Sequence, residues 1–151
     1  MITYFNNNID DIEESVQCSI EIFKPDANDL LRYHNKNNWI SKIQEGGLLI
    51  VAKDSSSVVG FSLSYKKSDT HFHIWLVGVQ DAYRKQGIWS TMYEMICIFA
   101  QEHQYKKLTI NTFEKKYSSM YTFLVDKKLA VAQVSKIEGQ GIRTTFQNDL
   151  L

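Results

Sequence analysis

The chain has 151 residues, enough for one domain with a substantial core, and 44% hydrophobic and 23% charged residues are ordinary for a globular protein. Its 17 basic residues balance 17 acidic ones, which argues against nucleic acid or an anionic membrane as a partner. We expect a single cytoplasmic domain over residues 1–151 without a membrane span or a secretory signal. We also expect no metal site, because Cys18, Cys97 and the four histidines lack metal-ligand spacing.

The first third of the chain predicts a short strand followed by two helical regions. Ile2–Phe5 has the composition of a strand. Asn8 or Asp10 can cap the first helix, and Asp10 has a glutamate three residues later, as in a capping box. The only proline ends this helix. A second helical region begins near Asp29, is expected to break at Asn35–Asn38, and stops at two consecutive glycines.

Three strands follow, of which the first two form a hairpin. Leu48–Lys53 and Val58–Lys66 flank four polar residues, and Thr70–Val79 comes after another polar turn. Gly78 interrupts the apolar end of this third strand. It indicates either close packing against a helix or, the explanation we favour, a point where the strand splays and its backbone becomes free to pair with an extended ligand.

The junction after Thr70–Val79 carries the clearest functional signal. Arg84-Lys-Gln-Gly87 leads into a helix with one apolar stripe. The stripe consists of Ile88, Met92, Met95, Ile96 and Phe99. A glycine allows a tight turn, and the free amides at a helix start bind anions with the help of the helix dipole. Because Arg84 and Lys85 add positive charge, the junction predicts a phosphate-bearing ligand near Gly87.

The last third of the chain predicts a strand, a helix and two further strands. These elements are Lys107–Phe113, Tyr117–Lys128, Leu129–Ile137 and Ile142–Leu150. An unpaired edge strand offers its backbone to a second copy of the chain, so Ile142–Leu150 at an edge would make a homodimer possible.

The motif that runs from Val79 through Arg84-Lys-Gln-Gly87-Ile-Trp89 resembles the acetyl-CoA pyrophosphate loop of the GNAT superfamily of N-acetyltransferases. It departs from that family at Trp89, where a small residue is usual. The order of elements, β-α-α-β-β-β-α-β-α-β-β, resembles the GNAT fold over essentially the whole chain. The resemblance implies an α+β fold with a mixed, mostly antiparallel sheet of six or seven strands. Helices would cover both faces, and the fourth and fifth strands would splay apart.

The same resemblance implies acetyl-CoA as co-substrate, with its pyrophosphate on the amides of Lys85–Ser90. The pantetheine arm would pair with the end of Thr70–Val79, and one amide there would stabilise the oxyanion. Asn111 is either a simple turn residue or part of the cleft where the two strands diverge. The implied cofactor-binding residues are Val77, Gly78, Val79, Arg84, Lys85, Gln86, Gly87, Ile88, Trp89, Ser90, Asn111 and Tyr117. Lys115 and Lys116 are further candidates for phosphate contacts.

Candidate catalytic residues lie on the third strand and on the last helix. His71 and His73 alternate with apolar residues and therefore project from one face. The family often has a glutamate general base at the position of His73, and a neutral histidine with a pKa near the ordinary value of about 6.5 suits that role. A partly buried, hydrogen-bonded histidine is the alternative for both residues. The family's tyrosine acid falls on Leu124, so Tyr121, three residues earlier, is the candidate general acid. The alternatives are the hydroxyl of Tyr117 and departure of the thiolate without a dedicated acid.

The resemblance implies direct attack of a primary amine on acetyl-CoA in a ternary complex, without a covalent acyl-enzyme. The acceptor stays open between a polyamine, an aminoglycoside, an amino acid and a peptide or protein amine. Two other functions also stay open. The first is a degenerate acyl-CoA-binding module without turnover, which Trp89 and Leu124 motivate. The second is an unrelated nucleotide-phosphate binder that uses the same helix start.

Overall fold

Residues 1–150, which the computed structural model describes, form an α+β structure around one seven-stranded sheet. The strands are β1 (Ile2–Asn6), β2 (Leu48–Asp54), β3 (Ser57–Ser68), β4 (His71–Val79), β5 (Lys107–Phe113), β6 (Ala130–Ile137) and β7 (Gly141–Asp149). The α-helices are α1 (Ile12–Phe23), α2 (Ala27–Arg32), α3 (Lys36–Gln44), α4 (Ile88–Glu102) and α5 (Ser118–Asp126). The predicted fold class, with six or seven strands, is confirmed.

The strand order is β1-β2-β3-β4-β5-β7-β6, and β4 with β5 is the parallel pair in an otherwise antiparallel sheet. The ladder between β4 and β5 pairs His71–Ile74 with Lys107–Ile110 and ends there. Beyond this point the two strands separate, as predicted.

Helices cover both faces of the sheet, and each face has its own core. On one face, α4 packs its buried residues Ile88, Met92 and Ile96 against the sheet, and Leu124 of α5 joins the same cluster. On the other face, α1 and α3 pack against the sheet around the fully buried Trp39. The apolar stripe predicted for α4 therefore faces the core.

The helix starts differ from the prediction in detail. Asn8 accepts a hydrogen bond from the amide of Asp10 at the start of a short 3-10 turn, so α1 begins only at Ile12 and the predicted capping box does not form. Asn35 accepts from the amides of Asn37 and Asn38 and is the N-cap of α3. The expected break therefore lies just before Asn35, because the asparagine side chain starts a helix here instead of interrupting one.

One prediction about the sheet is wrong. The strand predicted as Ile142–Leu150 is β7, which lies inside the sheet because it pairs with β5 on one side and β6 on the other. In the described residues the outer strands are β1 and β6. A second chain could therefore add to the sheet at β1 or β6 but not at β7.

Three further observations concern the described residues as a whole. Cys18 is buried, Cys97 is half-buried, and both are free thiols. None of the helices in residues 1–150 is both long and apolar enough to cross a membrane. The same residues contain no group of three or more His, Cys, Asp or Glu side chains placed to hold a metal ion.

Candidate active site

The gap between β4 and β5 begins at Trp75, where β4 carries a bulge. Leu63 of β3 faces Leu76, but the next residue, Ser64, faces Ile74, so Trp75 is an extra residue on the β4 side. A bulge bends a strand and increases its twist locally. Because the ladder to β5 ends at Ile74, the bulge marks the split. The edge of β4 beyond it has no strand partner on the β5 side among the described residues.

Gly78 does not mark the start of the split, which lies several residues earlier. A Cβ at Gly78 would lie 2.7 Å from Cε1 of Phe61 and 2.9 Å from Cδ1 of Ile22 on α1. Close packing against a helix, the explanation we did not favour, therefore accounts for this glycine. Binding of a ligand by the backbone at Gly78 stays a prediction.

The loop before α4 presents a row of backbone amides. Lys85 has φ +62° and Gly87, the residue before α4, has φ +80°. Within residues 1–150, the amides of Lys85–Ser90 donate no hydrogen bond to another backbone group, and the first helical bond runs from Thr91 N to Gly87 O at 3.0 Å. Successive amides in such left-handed turns form a concave anion site. A Cβ at Gly87 would meet nothing within 4 Å, so this glycine is required by its conformation.

Arg84 fastens this loop to the end of β4. Its Nε donates to the carbonyl of Val79 at 3.2 Å, and its Nη1 lies 3.2 Å from Oδ1 of Asp81. Tyr83 donates its hydroxyl proton to Asp54 at 2.7 Å. These contacts hold the loop in place through side chains, so they do not occupy its backbone amides.

Trp89 turns away from the loop. Its ring packs 5.6 Å from the rings of Tyr93 on α4 and Phe123 on α5. The indole of Trp89, which stands where the family usually has a small residue, thus fills the space between two helices and leaves the loop amides accessible. Its Nε1 is buried without a hydrogen-bond partner in the described residues.

His71 and His73 meet at one threonine. Nε2 of His71 and Nδ1 of His73 each lie 2.6 Å from Oγ1 of Thr109 on β5. The ring of Tyr65 contacts both His73 at 5.5 Å and Trp75 at 5.9 Å, so the two histidines share the face of Trp75 as predicted. The three polar side chains form a continuous chain across β4 and β5.

The expectation of an ordinary pKa for His73 is wrong. Burial lowers the pKa of His73 to about 3, and the positive charge of Lys67 acts in the same direction. Burial lowers the pKa of His71 to about 4, with further contributions from Lys107 and Lys67. Both imidazoles are therefore neutral near pH 7, and each offers one lone pair and one N–H.

The residues proposed on the last helix lie on the α4 side of the split. Leu124 is fully buried, so the family's usual acid position is part of the core. Tyr121 packs against Phe146 at a ring distance of 5.3 Å. Tyr117 precedes α5 and lies 6.2 Å from the ring of Phe23 at the end of α1. Tyr117 therefore connects α5, on one side of the split, with α1 on the other.

Asn111 is the first residue of β5 after the ladder to β4 ends. Its Oδ1 accepts a hydrogen bond from Oγ1 of Thr145 on β7 at 2.5 Å. Asn111 lines a cavity together with His71 and Thr109, on the face of the sheet opposite α4. It thus lies where the strands diverge, as predicted, but on the other side of the sheet from the loop amides.

Three features of this site have no recognisable signal in the sequence. Thr109 has no motif around it, and only its register opposite His73 reveals its role. Arg143 comes from the distant β7 and lines the cavity beside His71. His34, between α2 and α3, is buried, and its Nδ1 forms a hydrogen bond with Ser19 Oγ at 2.9 Å.

Comparison with known proteins agrees with this geometry. The sequence model of the Acetyltransferase (GNAT) family matches residues 10–122. No curated protein sequence matches the chain.

Several solved structures share the fold. An acetyltransferase of the GNAT family from Staphylococcus aureus Mu50 superposes with a TM-score of 0.81 at 15% identity and covers 100% of both chains. PaiA N-acetyltransferase from Thermoplasma acidophilum, in complex with coenzyme A, has a TM-score of 0.77 at 14% identity over 99% of each chain. A GNAT acetyltransferase from Elizabethkingia anophelis with acetyl-CoA bound has a TM-score of 0.67 at 18% identity, covering 99% of this chain and 98% of that one. The family match, over most of the chain and on the same fold, leads to one conclusion: the chain belongs to the GNAT family of acetyltransferases.

Proposed function

We propose that the chain, as one domain over residues 1–151, transfers the acetyl group of acetyl-CoA to a primary amine by direct attack in a ternary complex. One observation carries the proposal. The amides of Lys85–Ser90 are turned outward without backbone partners at the head of α4, next to the edge of β4 that β5 has left. An anion site beside an unpaired strand edge is what a ligand with a pyrophosphate and an extended arm requires.

The residues present fit acetyl-CoA, which supplies an activated thioester. The loop from Arg84 to Ser90 would hold the pyrophosphate, with the side chain of Lys85 exposed beside it. The backbone of Val77–Val79 would pair with the arm, and Tyr117 and Asn111 would bound the cleft. The acetyl-CoA and coenzyme A complexes of the Elizabethkingia and Thermoplasma proteins support this assignment.

We assign proton acceptance to His73 acting through Thr109. With its pKa lowered to about 3, His73 is a weak base toward a free ammonium ion. The amine nitrogen becomes much more acidic as the new C–N bond forms, so a neutral imidazole can accept its proton at that stage. Thr109 can then pass a proton between His73 and His71, because its hydroxyl lies 2.6 Å from both rings.

Tyr121 is the proposed donor to the departing thiolate. It lies on α5 three residues before the buried Leu124, which provides no proton. Most of the acceleration would come from positioning the two substrates and from amides of β4 that stabilise negative charge on the carbonyl oxygen. Proton transfer would contribute about 10²–10⁴-fold.

Other residues bear on the cellular compartment and on the oligomeric state. The free thiols of Cys18 and Cys97 support a reducing compartment such as the cytoplasm. A homodimer would use the outer edge of β6.

The test is a thermal-shift titration with acetyl-CoA, CoA, ATP and NAD at equal concentrations. A ligand present at a hundred times its Kd adds about 2.7 kcal/mol to the free energy of unfolding, and we expect this for the two CoA forms only. Gly87→Glu should abolish the shift, because a carboxylate would enter the anion site. Gly139→Glu is the matched control: Gly139 has φ +77° and equally open surroundings. A response to ATP or NAD that exceeds the response to CoA would favour the nucleotide binder instead.

The acyl-CoA-binding module remains a second candidate because the family's acid position is the buried Leu124 and His73 is a weak base. It predicts CoA binding without amine-dependent thiol release. In the enzyme, His73→Ala should lower thiol release while CoA binding persists.

A further inference from the structure

The face of the sheet opposite α4 and α5 holds a cavity of about 190 Å³ whose charged side chains are all basic. Lys67 lies near the end of β3, Lys107 begins β5, and Arg143 lies on β7. Uncharged partners, including Thr109 and Asn111, complete the lining, and no Asp or Glu of residues 1–150 belongs to it. Three separate strands therefore bring positive charge to one place.

The described residues leave these cations without a direct ion pair. Lys67, Lys107 and Arg143 form no ion pair within 4.0 Å in residues 1–150. Asp149 lies opposite Lys107 in the ladder, but its carboxylate accepts from Nε2 of Gln147 at 2.8 Å. Nε of Arg143 is buried without a hydrogen-bond acceptor among the same residues. A buried guanidinium N–H without an acceptor is costly, and an anion would satisfy it.

The cavity reaches the split between β4 and β5. Asn111, which follows the last paired residue of β5, is part of its lining. Lys107 lies four residues earlier on the same strand, about 13 Å away at the usual rise per residue. His71 lies opposite Lys107 in the ladder and connects through Thr109 to His73, one step nearer the split. An anion in this cavity would therefore lie on the same face as the proposed proton acceptor.

We propose that this cavity binds the anionic group of the acceptor, so the substrate is an amine that also carries a carboxylate, and polyamines and aminoglycosides are excluded. The inference rests on the proposed acetyl transfer for the amine end and on the cavity for the anionic end. A polycation would meet three positive charges that are in no ion pair, whereas a carboxylate would form charge-assisted hydrogen bonds with Arg143 and the lysines.

The experiment compares matched amines that differ only in one carboxylate. The pairs are glycine and glycinamide, 4-aminobutyrate and its amide, and Ala-Glu-Ala-amide and Ala-Gln-Ala-amide, with spermidine as the polycation. We expect at least one carboxylate to exceed its amide in kcat/KM by about tenfold or more, as one charged hydrogen bond provides. The pair with the largest ratio of carboxylate to amide indicates how far the amine and the carboxylate lie from each other in the preferred substrate.

Variants connect the preference to the cavity. Lys107→Gln and Arg143→Gln should each reduce the ratio of carboxylate to amide, and the double variant should bring it close to one. Lys136→Gln is the matched control, because this exposed lysine lies on the same β6–β7 hairpin with its partner Ile142 and does not line the cavity. It should keep the full ratio.

A binding measurement separates the two proposals. Isothermal titration of the free protein with glutarate and, separately, inorganic phosphate should give saturable glutarate binding that the double variant weakens about tenfold or more. If glutarate binds in this way but neither acetyl-CoA binding nor turnover occurs, the acetyl transfer fails and the anion site stands. If amines are acetylated without a carboxylate preference, or spermidine is best, the inference is overturned. Phosphate binding without carboxylate preference would also overturn it, in favour of a free anion.

Discussion

The two halves of the sheet differ in how many of their faces the protein covers. In β2, the five residues Leu48–Ala52 are all buried, because α4 lies on one face and α1 with α3 on the other. In β6, the five residues Ala130–Val134 are all exposed. The first half is therefore a scaffold covered on both faces, whereas the second half leaves an open surface on which Val131 and Val134 are exposed. The candidate site lies where these halves meet, between β4 and β5.

The largest effect should come from the covered half. Phe61 on β3 is fully buried, so Phe61→Ala removes many contacts and should lower the free energy of unfolding by about 3–5 kcal/mol. Val134→Ala on β6, where the side chain is 60% exposed, should change it by less than about 0.5 kcal/mol. Urea unfolding of both variants measures the difference. Similar losses in the two variants would contradict the division into a covered and an open half.

Gly78→Ala tests how tightly α1 packs on the same half. The added methyl would lie 2.7 Å from the Phe61 ring and 2.9 Å from Ile22, and overpacking of this kind costs about 1–3 kcal/mol. Gly139→Ala serves as control, since nothing lies within 4 Å of a Cβ there; its own cost is the strain of alanine at φ +77°, which Gly78→Ala does not have. A stable Gly78→Ala protein would show that α1 can shift away from the sheet.

The boundary between the halves should make stability dependent on pH. His73 is neutral in the folded protein because its pKa is lowered to about 3, whereas the unfolded chain binds a proton below about pH 6.5. Stability from this residue is therefore complete above about pH 6.5 and is lost as the pH falls toward 3. The slope is at most about 1.4 kcal/mol per pH unit. His73→Gln should flatten urea-unfolding stability between pH 5 and 7, and an unchanged slope would remove His73 as its source.

The smallest effect is expected at the exposed loop. Arg84→Gln removes one hydrogen bond to Val79 and one exposed ion pair with Asp81, so stability should fall by about 1 kcal/mol or less. Asp81→Asn removes only the ion pair and should cost less than Arg84→Gln. The reverse order, measured by thermal unfolding, would mean that the bond to Val79 does not hold the loop.

Local features of the fold could be predicted from the sequence, and pairings between distant segments could not. Lys107–Phe113 has the predicted bounds, and α4 begins directly after Gly87, because hydrophobic period and glycine geometry are local properties. The position of β7 between β5 and β6 depends on which strands meet in space. No local pattern contains that information.

The candidate site divides in the same way. The anion loop is one continuous segment, so its residues identify it. Thr109 and Arg143 reach the site only through strand register, and the bulge at Trp75 appears only when β3 and β4 are paired. The low pKa of His73 arises from burial, which depends on the complete fold.

The single proton of the Thr109 hydroxyl gives the histidine pair a direction. If Thr109 donates to His73, its oxygen accepts an N–H from His71, and if it donates to His71 the N–H must come from His73. The pair thus has two arrangements with opposite dipoles, and a change of tautomer in one imidazole requires the opposite change in the other. A proton that enters at one ring and leaves at the other reverses this dipole, so the original arrangement must be restored before the next turnover.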